Sequence, residues 1–242
     1  MSEMLIGRQS VLEALKAKKP INRILLSKTA GDLTEIIDLA KQARVIFEFV
    51  DKKALDRISQ SSKNQGVAAF ASAHEYVEVE DILAAAQARD QLPFIILLDQ
   101  IEDPHNLGAI IRSAEAAGAH GVVTLKRRAV GLTETVAKTS AGALMHLPVA
   151  RVNNLNDVIL KLKEQRIWIF GLDEEGEAVF DKADFKLPLA LVVGGEGKGL
   201  SRLVRERCDF LVKIPLHGKV NSLNASVAAA VVMFEVARQR QK

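Results

Sequence analysis

The chain is predicted to be α/β, with a mostly parallel sheet in its C-terminal part and a smaller α/β domain ahead of it. Three observations carry this. From residue 94 onward, continuous apolar runs alternate with helical patterns, as expected for strands buried on both faces of a parallel sheet. Residues 1–75 alternate shorter elements of both kinds. Between these blocks, residues 76–92 hold Glu78, Glu80, Asp81 and an alanine-rich stretch, which reads as a linker with one short helix. The expected organisation is therefore 1–75, a 76–92 linker and 93–242.

The elements of the first block follow from spacing. Val11, Leu12 and Leu15 recur at helical intervals within 9–17, and Leu33, Ile36, Ile37 and Ala40 do so within 33–43. A third helix is predicted over 53–59, with strands over 23–26, 45–50 and 66–71. In the second block, strands are predicted at 94–98, 121–125, 167–171, 189–193 and 210–214. Helices are predicted at 107–117, 134–143, 155–164 and 223–240. In such a sheet the ligand site lies outside the carboxyl ends of the strands.

Composition excludes several classes. In 242 residues, 48% hydrophobic and 26% charged content lies near the globular average, so disordered and collagen-like chains are ruled out. The longest apolar run, 227–234, is too short to span a bilayer, and the start Met1-Ser2-Glu3-Met4 has no leader pattern. A single cysteine, Cys208, rules out a disulfide framework, and a cytoplasmic protein with no membrane partner is expected. Basic residues outnumber acidic ones twelve to nine in 1–75 and twenty to seventeen in 94–242, but fall to one against four in 76–93. Two mildly basic blocks thus flank an acidic connector. No metal is expected, because the five histidines lack paired ligand spacing; no Gly-x-Ser-x-Gly elbow occurs either.

Three segments carry chemistry. The loop after the 94–98 strand runs Asp99 to Arg112 and includes Asn106 and Gly108; Asn106 could be a helix cap and Arg112 a solvated charge. The 189–193 strand runs into Gly194-Gly195-Glu196-Gly197-Lys198-Gly199, where glycines permit close backbone approach or make a tight turn. Neither a Walker A loop nor a dinucleotide loop fits, and Glu196 would repel a polyphosphate. The third segment runs from Ile214-Pro215 to Asn221, Ser222, Leu223, Asn224 and Ser226, at the entrance of a helix that is apolar on nearly every side. Capping by Ser222 or Asn221 leaves Asn224 unexplained. The basic groups Lys126-Arg127-Arg128 and Arg202, Arg205 and Arg207 could touch phosphates, although such runs are commonly solvated faces.

Together, Asn106-x-Gly108-x-x-x-Arg112, Gly194-Gly195-Glu196-Gly197-x-Gly199 and Ile214-Pro215 with Ser222-Leu223-Asn224-x-Ser226 resemble the three ordered motifs of the SpoU (TrmH-type) branch of the SPOUT RNA methyltransferases. Residues 7–15 and Asn64-Gln65-Gly66-Val67 resemble the preceding substrate-binding domain, similar to a ribosomal protein fold, so nearly the whole chain is covered. The subgroup it resembles most methylates the ribose of a guanosine in the peptidyl-transferase region of 23S ribosomal RNA. The resemblance implies S-adenosylmethionine as cofactor, a C-terminal deep trefoil knot, an RNA substrate and a homodimer with a composite active site. It implies catalytic roles for Asn106, Arg112, Glu196, Ser222 and Asn224, and cofactor binding by Gly194, Ile214 and Leu223. A guanidinium is a poor base, so Arg112 is expected to orient a phosphate and stabilise the developing alkoxide, fixed by Glu196 and Asn106. The alternatives are a transfer RNA or other ribosomal RNA 2′-O-methyltransferase of the same family, or a catalytically silent RNA-binding module.

Overall fold

In the first block, β4 (Val67–Ala71) lies at the centre of a small sheet. It pairs antiparallel with β1 (Met4–Ile6) on one side and β2 (Ile21–Ser27) on the other, and β3 (Phe47–Val50) runs parallel to β2. The structure, a computed structural model, describes residues 4–197, 199–219 and 222–241. Residues 1–75 and 131–135 form one compact unit; 76–130 and 136–242 form the other.

In the first unit, α1 (Arg8–Lys16) and α2 (Thr34–Gln42) bury Val11, Leu15, Ile36 and Ala40 against Ile24, Leu26, Val67 and Ala69 on one sheet face. The other face receives α3 (Lys52–Ser59) through Leu55, which packs on Leu25 and Ala68. Asn64, almost wholly buried, is satisfied on every side. Its amide donates to Ser61 O (2.7 Å), Asp56 Oδ1 (2.7 Å) and Ser59 Oγ (3.1 Å), and its Oδ1 accepts Gly66 N (2.9 Å). Gly66 has φ +78° and abuts Ala30 where a Cβ would sit, so this turn needs glycine.

The second unit is built on seven strands, all parallel to their neighbours, in the order β7-β6-β5-β10-β8-β11-β9. These are β5 (Phe94–Asp99), β6 (Gly121–Leu125), β7 (Val149–Val152), β8 (Trp168–Leu172), β9 (Ala178–Val179), β10 (Leu189–Gly194) and β11 (Phe210–Lys213). On one face α4 (Val79–Ala88), α7 (Leu155–Glu164) and α8 (Arg202–Arg207) bury Ile82, Ile159, Leu162 and Val204 against Leu97, Val123, Ile169 and Val192. Elsewhere α5 (Pro104–Ala116) and α9 (Ala225–Arg240) pack on each other, and they contact β6 and β10 respectively. Among the described residues no helix is long and apolar enough to cross a membrane.

The sequence expectations hold for the long apolar runs and fail where an element is short or polar. Residues 76–92, expected as a linker, belong to the second unit: Ile82 and Ala86 of α4 are fully buried, and Val77 N donates to Val149 O at 3.0 Å. The helix expected over 134–143 ends earlier, as α6 (Glu134–Thr139), where Ala141 and Gly142 take positive φ. Strands β1, β7 and β9 and helix α8 were outside the expectation, because each is brief or carries charge among its apolar residues.

Candidate active site

The site lies at the carboxyl ends of β5 and β10, which run side by side with Gly194 opposite Asp99. After β5, Asp103 caps α5 by accepting His105 N at 2.9 Å, with Pro104 at the first helical position. Asn106 is therefore not the cap. It sits inside the first turn, 4% exposed, with its amide turned toward the neighbouring loops.

The glycine segment closes on itself, since Gly199 N donates to Gly195 O at 3.1 Å. A Cβ on Gly194 would overlap the carbonyl of Gly199, and one on Gly195 would overlap Gln100 O, so neither position has room for a side chain. Gly197 and Gly199 take φ +72° and +60°. One residue that sequence reasoning passed over fixes this loop to the sheet: the buried carboxylate of Asp99 accepts Ser201 N at 2.7 Å. An acidic residue closing a wholly apolar strand was the available signal. Lys198, within the loop, lies outside the described residues.

The third segment meets the other two through Asn224. Its Oδ1 caps α9, accepting Ser226 N (2.9 Å), Ser226 Oγ (2.6 Å) and Val227 N (3.3 Å). That orientation turns its amide nitrogen outward, where it donates to Asn106 Oδ1 (2.9 Å) and Glu196 Oε1 (3.0 Å). Asn106 Nδ2 also donates to Glu196 Oε1. Two asparagines from different segments thus share one oxygen of the Glu196 carboxylate.

The expected residues divide into two groups. Asn106, Glu196 and Asn224 come together, and Gly194 ends β10 two residues before Glu196. Ile214 is half-buried directly after β11, while Leu223 and Ser222 are exposed on the approach to α9. Ser222 is not the cap, and Asn221 lies outside the described residues. Arg112 stands apart. Two turns into α5 and exposed, it has no hydrogen bond or ion pair with Glu196 or Asn106 in the described residues, so within one chain they do not fix it as expected. On α9, Val227, Val231 and Phe234 are 50%, 37% and 51% exposed and, spaced four and three residues apart, form one apolar stripe leading away from Asn224.

Other titratable groups are inert here. Burial pushes the Cys208 thiol up to about 12, and its Sγ bonds Val204 O. Burial likewise lowers His120 to about 4; its Nδ1 accepts Phe94 N, which leaves it a neutral structural group. Among the described residues no group of three or more His, Cys, Asp or Glu side chains could hold a metal ion.

Comparison with known proteins agrees with this geometry. Residues 93–234 match the SpoU rRNA methylase family, and residues 4–77 match the RNA 2′-O ribose methyltransferase substrate-binding domain. YacO of Bacillus subtilis (strain 168), a TrmH family protein whose name gives tRNA/rRNA as its substrates, is 47% identical over 240 residues, covering 98% of this chain and 96% of its own. The SpoU methyltransferase AviRb from Streptomyces viridochromogenes, solved in complex with AdoMet, superposes with a TM-score of 0.64 at 27% identity, over 98% of this chain and 90% of AviRb. The TrmH/SpoU tRNA modifying enzyme of A. aeolicus, 29% identical with a TM-score of 0.57, matches 62% of this chain and 76% of its own.

Proposed function

The chain belongs to the SpoU rRNA methylase family and is an RNA 2′-O-ribose methyltransferase that uses S-adenosylmethionine; we propose that it methylates a guanosine ribose in the peptidyl-transferase region of 23S ribosomal RNA. The observation that carries the catalytic part is the meeting of Asn106, Glu196 and Asn224 at a loop whose Gly194 and Gly195 have no room for a side chain. Support for ribosomal RNA comes from the first unit: the A. aeolicus tRNA modifying enzyme matches only 62% of this chain, which leaves residues that can select another RNA. Residues 1–75 would bind that RNA, and the second unit, which takes in 76–92 and whose residues 93–242 would be threaded as a deep trefoil knot, would carry the chemistry in the cytoplasm.

The loop fits the cofactor. At Gly197 and Gly199 the side-chain positions face open space, which leaves their main chain open to a ligand, and the exposed Glu196 carboxylate between Gly195 and Gly197 disfavours a polyphosphate. In this reading Gly194, Ile214 and Leu223 hold the adenosine and methionine parts, largely through main-chain groups. When bound, S-adenosylmethionine supplies a methyl group on a sulfonium, ready for in-line attack. The chain's own work is positioning and control of one proton. Asn106 and Glu196 orient the ribose, Asn224 and Ser222 place its reacting edge, and Arg112 holds a phosphate and stabilises the alkoxide forming at O2′.

Because Arg112 makes no hydrogen bond or ion pair with Glu196 or Asn106 of its own chain, it acts best in the site of a second copy. The exposed Val227–Val231–Phe234 stripe, which starts three residues after Asn224, supports such a homodimer. Two experiments test the reading. Labelled methyl from S-adenosylmethionine should enter 2′-O-methylguanosine of unmodified 23S ribosomal RNA, not transfer RNA, and Arg112→Ala should abolish it. Mixing Arg112→Ala with Asn224→Ala subunits should restore part of the activity. Label in transfer RNA alone would overturn the substrate, and no complementation by mixed dimers would overturn the composite site. Arg112→Lys tests its role: an alkoxide-stabilising Arg112 predicts a weakened variant with an unmoved pH–rate profile, and a shift to lower pH would indicate a base.

A further inference from the structure

The turn after β6 is outside the Asn106–Glu196–Asn224 cluster, yet it is tied to the same end of the sheet. Lys126 N donates to Val152 O at 2.7 Å, which carries the β6–β7 pairing into the turn. From β7, Arg151 braces the turn from below: its Nη2 donates to Lys126 O at 3.0 Å and its guanidinium lies 5.4 Å from the Tyr76 ring centroid. On the far side, Val130 N donates to Ile101 O at 2.9 Å. Ile101 is buried in the segment between β5 and α5, five residues before Asn106. The turn is therefore fixed at both ends, and one of its anchors is the segment that leads into the catalytic cluster.

Between those anchors stand Arg127 and Arg128, both exposed, with no hydrogen bond or ion pair to any described residue. Of the two acidic residues on the anchoring segment, Asp103 is occupied in capping α5, and Glu102 makes no ion pair with either arginine. An arginine on a mobile surface loop loses much of its binding gain to ordering, whereas one on a braced turn has its backbone already placed. Planar guanidinium forks on two adjacent residues of one turn suit phosphodiesters, each of which can take paired charge-assisted hydrogen bonds.

We propose that Arg127 and Arg128 hold backbone phosphates of the RNA strand that enters this site, beside the reacting ribose rather than on it. This rests on the RNA methyltransferase reading above. Contacts of this kind fix the register of the strand and read no base, so their loss acts on RNA affinity and leaves the methylated nucleotide unchanged.

The test uses the full chain as wild type, Arg127→Gln/Arg128→Gln and Arg127→Lys/Arg128→Lys. Methyl transfer to a 23S ribosomal RNA transcript is followed against RNA and sodium chloride concentration, with S-adenosylmethionine affinity measured calorimetrically in parallel. For the glutamine pair, KM for RNA should rise about tenfold. The slope of log affinity against log salt should flatten by about 1.4 to 1.8, from two phosphate contacts at about 0.7 to 0.9 each. Cofactor affinity should stay at the wild-type value, and the lysine pair should recover most of the salt slope. An unchanged KM and slope in the glutamine pair, with an active wild type, would overturn the assignment; so would equal loss of cofactor affinity in both variants, which would mark a folding defect. A wild type that binds S-adenosylmethionine but methylates no RNA would sink the substrate reading, and this assignment with it.

Discussion

Replacing Asn224 by aspartate keeps the shape of the side chain and its capping oxygen while converting one donor into an acceptor. In the native site the amide nitrogen donates to Asn106 Oδ1 at 2.9 Å and to Glu196 Oε1 at 3.0 Å. Asn224→Asp removes both bonds, worth about 1 kcal/mol for the neutral pair and about 1.5 kcal/mol or more for the one to the carboxylate. It also sets two negative charges about 3 Å apart. Both side chains face water, so the repulsion is close to the aqueous limit, about 1.4 kcal/mol. The cap survives, since Asp and Asn serve equally at that position. The expected penalty at pH 7.5 is thus about 3 to 4 kcal/mol for the α9 entrance.

The pH dependence separates this account from general damage. A carboxylate introduced beside Glu196 raises one pKa of the pair above its unfolded value, so the repulsion is present above that pKa and fades as pH falls from 7 toward 4. Asn224→Ala loses the same donor and also the cap, with no new charge, and its deficit relative to wild type should be flat across that range. Trp168, the only tryptophan, lies in the same unit and reports urea unfolding by fluorescence. A deficit for Asn224→Asp that is absent at pH 7.5, or that does not shrink relative to Asn224→Ala on acidification, would refute the orientation assigned to this amide.

Three further outcomes are expected. Gly194→Ala puts a Cβ into the Gly199 carbonyl and should weaken S-adenosylmethionine binding at least tenfold by calorimetry, whereas Gly197→Ala, with open space but φ +72°, should cost only about 1 kcal/mol. His120, held near 4 in the fold against 6.5 unfolded, contributes stability that is present above pH 6.5 and lost as pH falls toward 4. Wild type should therefore lose about 2 kcal/mol between pH 7 and 5 that His120→Asn does not, read from urea midpoints. Cys208, raised to about 12, should resist iodoacetamide at pH 8 until urea unfolds the chain; the same shift costs stability only as pH climbs from about 9 to 12.

How much of this was legible in the sequence depended on whether the signal was local. The apolar runs at 94–98 and 189–193 became β5 and β10, because residues buried on both faces admit little else. Asn106, Glu196 and Asn224 were each named from their segments, yet the reason they belong together could not be read there. Asn106 looks like a cap until Asp103 is seen to take that position, and Asn224 looks superfluous until it proves to be the cap itself. The acidic stretch 76–92 misled for the opposite reason. Its charges suggest solvent, but Val77 and Ile82 pack into the core of the second unit and Ala86 is buried, while Glu78 and Asp81 form a capping box at the start of α4. The resemblance sets Arg112 beside Glu196, and no local pattern shows that the two make no hydrogen bond or ion pair within one chain.

What assembles the site is the order of strands rather than any one motif. β5 and β10 are neighbours, so their outgoing loops meet directly and are stitched by Asp99 to Ser201. β11 is not a neighbour: β8 lies between it and β10. The chain that leaves the sheet at β11 is nonetheless brought back to the β5 side, where Asn224 bonds Asn106, a contact spanning 118 residues, and α9 packs on α5. That return is costly in loop entropy and is held at its end by the shared Glu196 oxygen and the α9 cap. The same asparagine thus caps α9 and ties its entrance to the loops that follow β5 and β10, through Asn106 and Glu196.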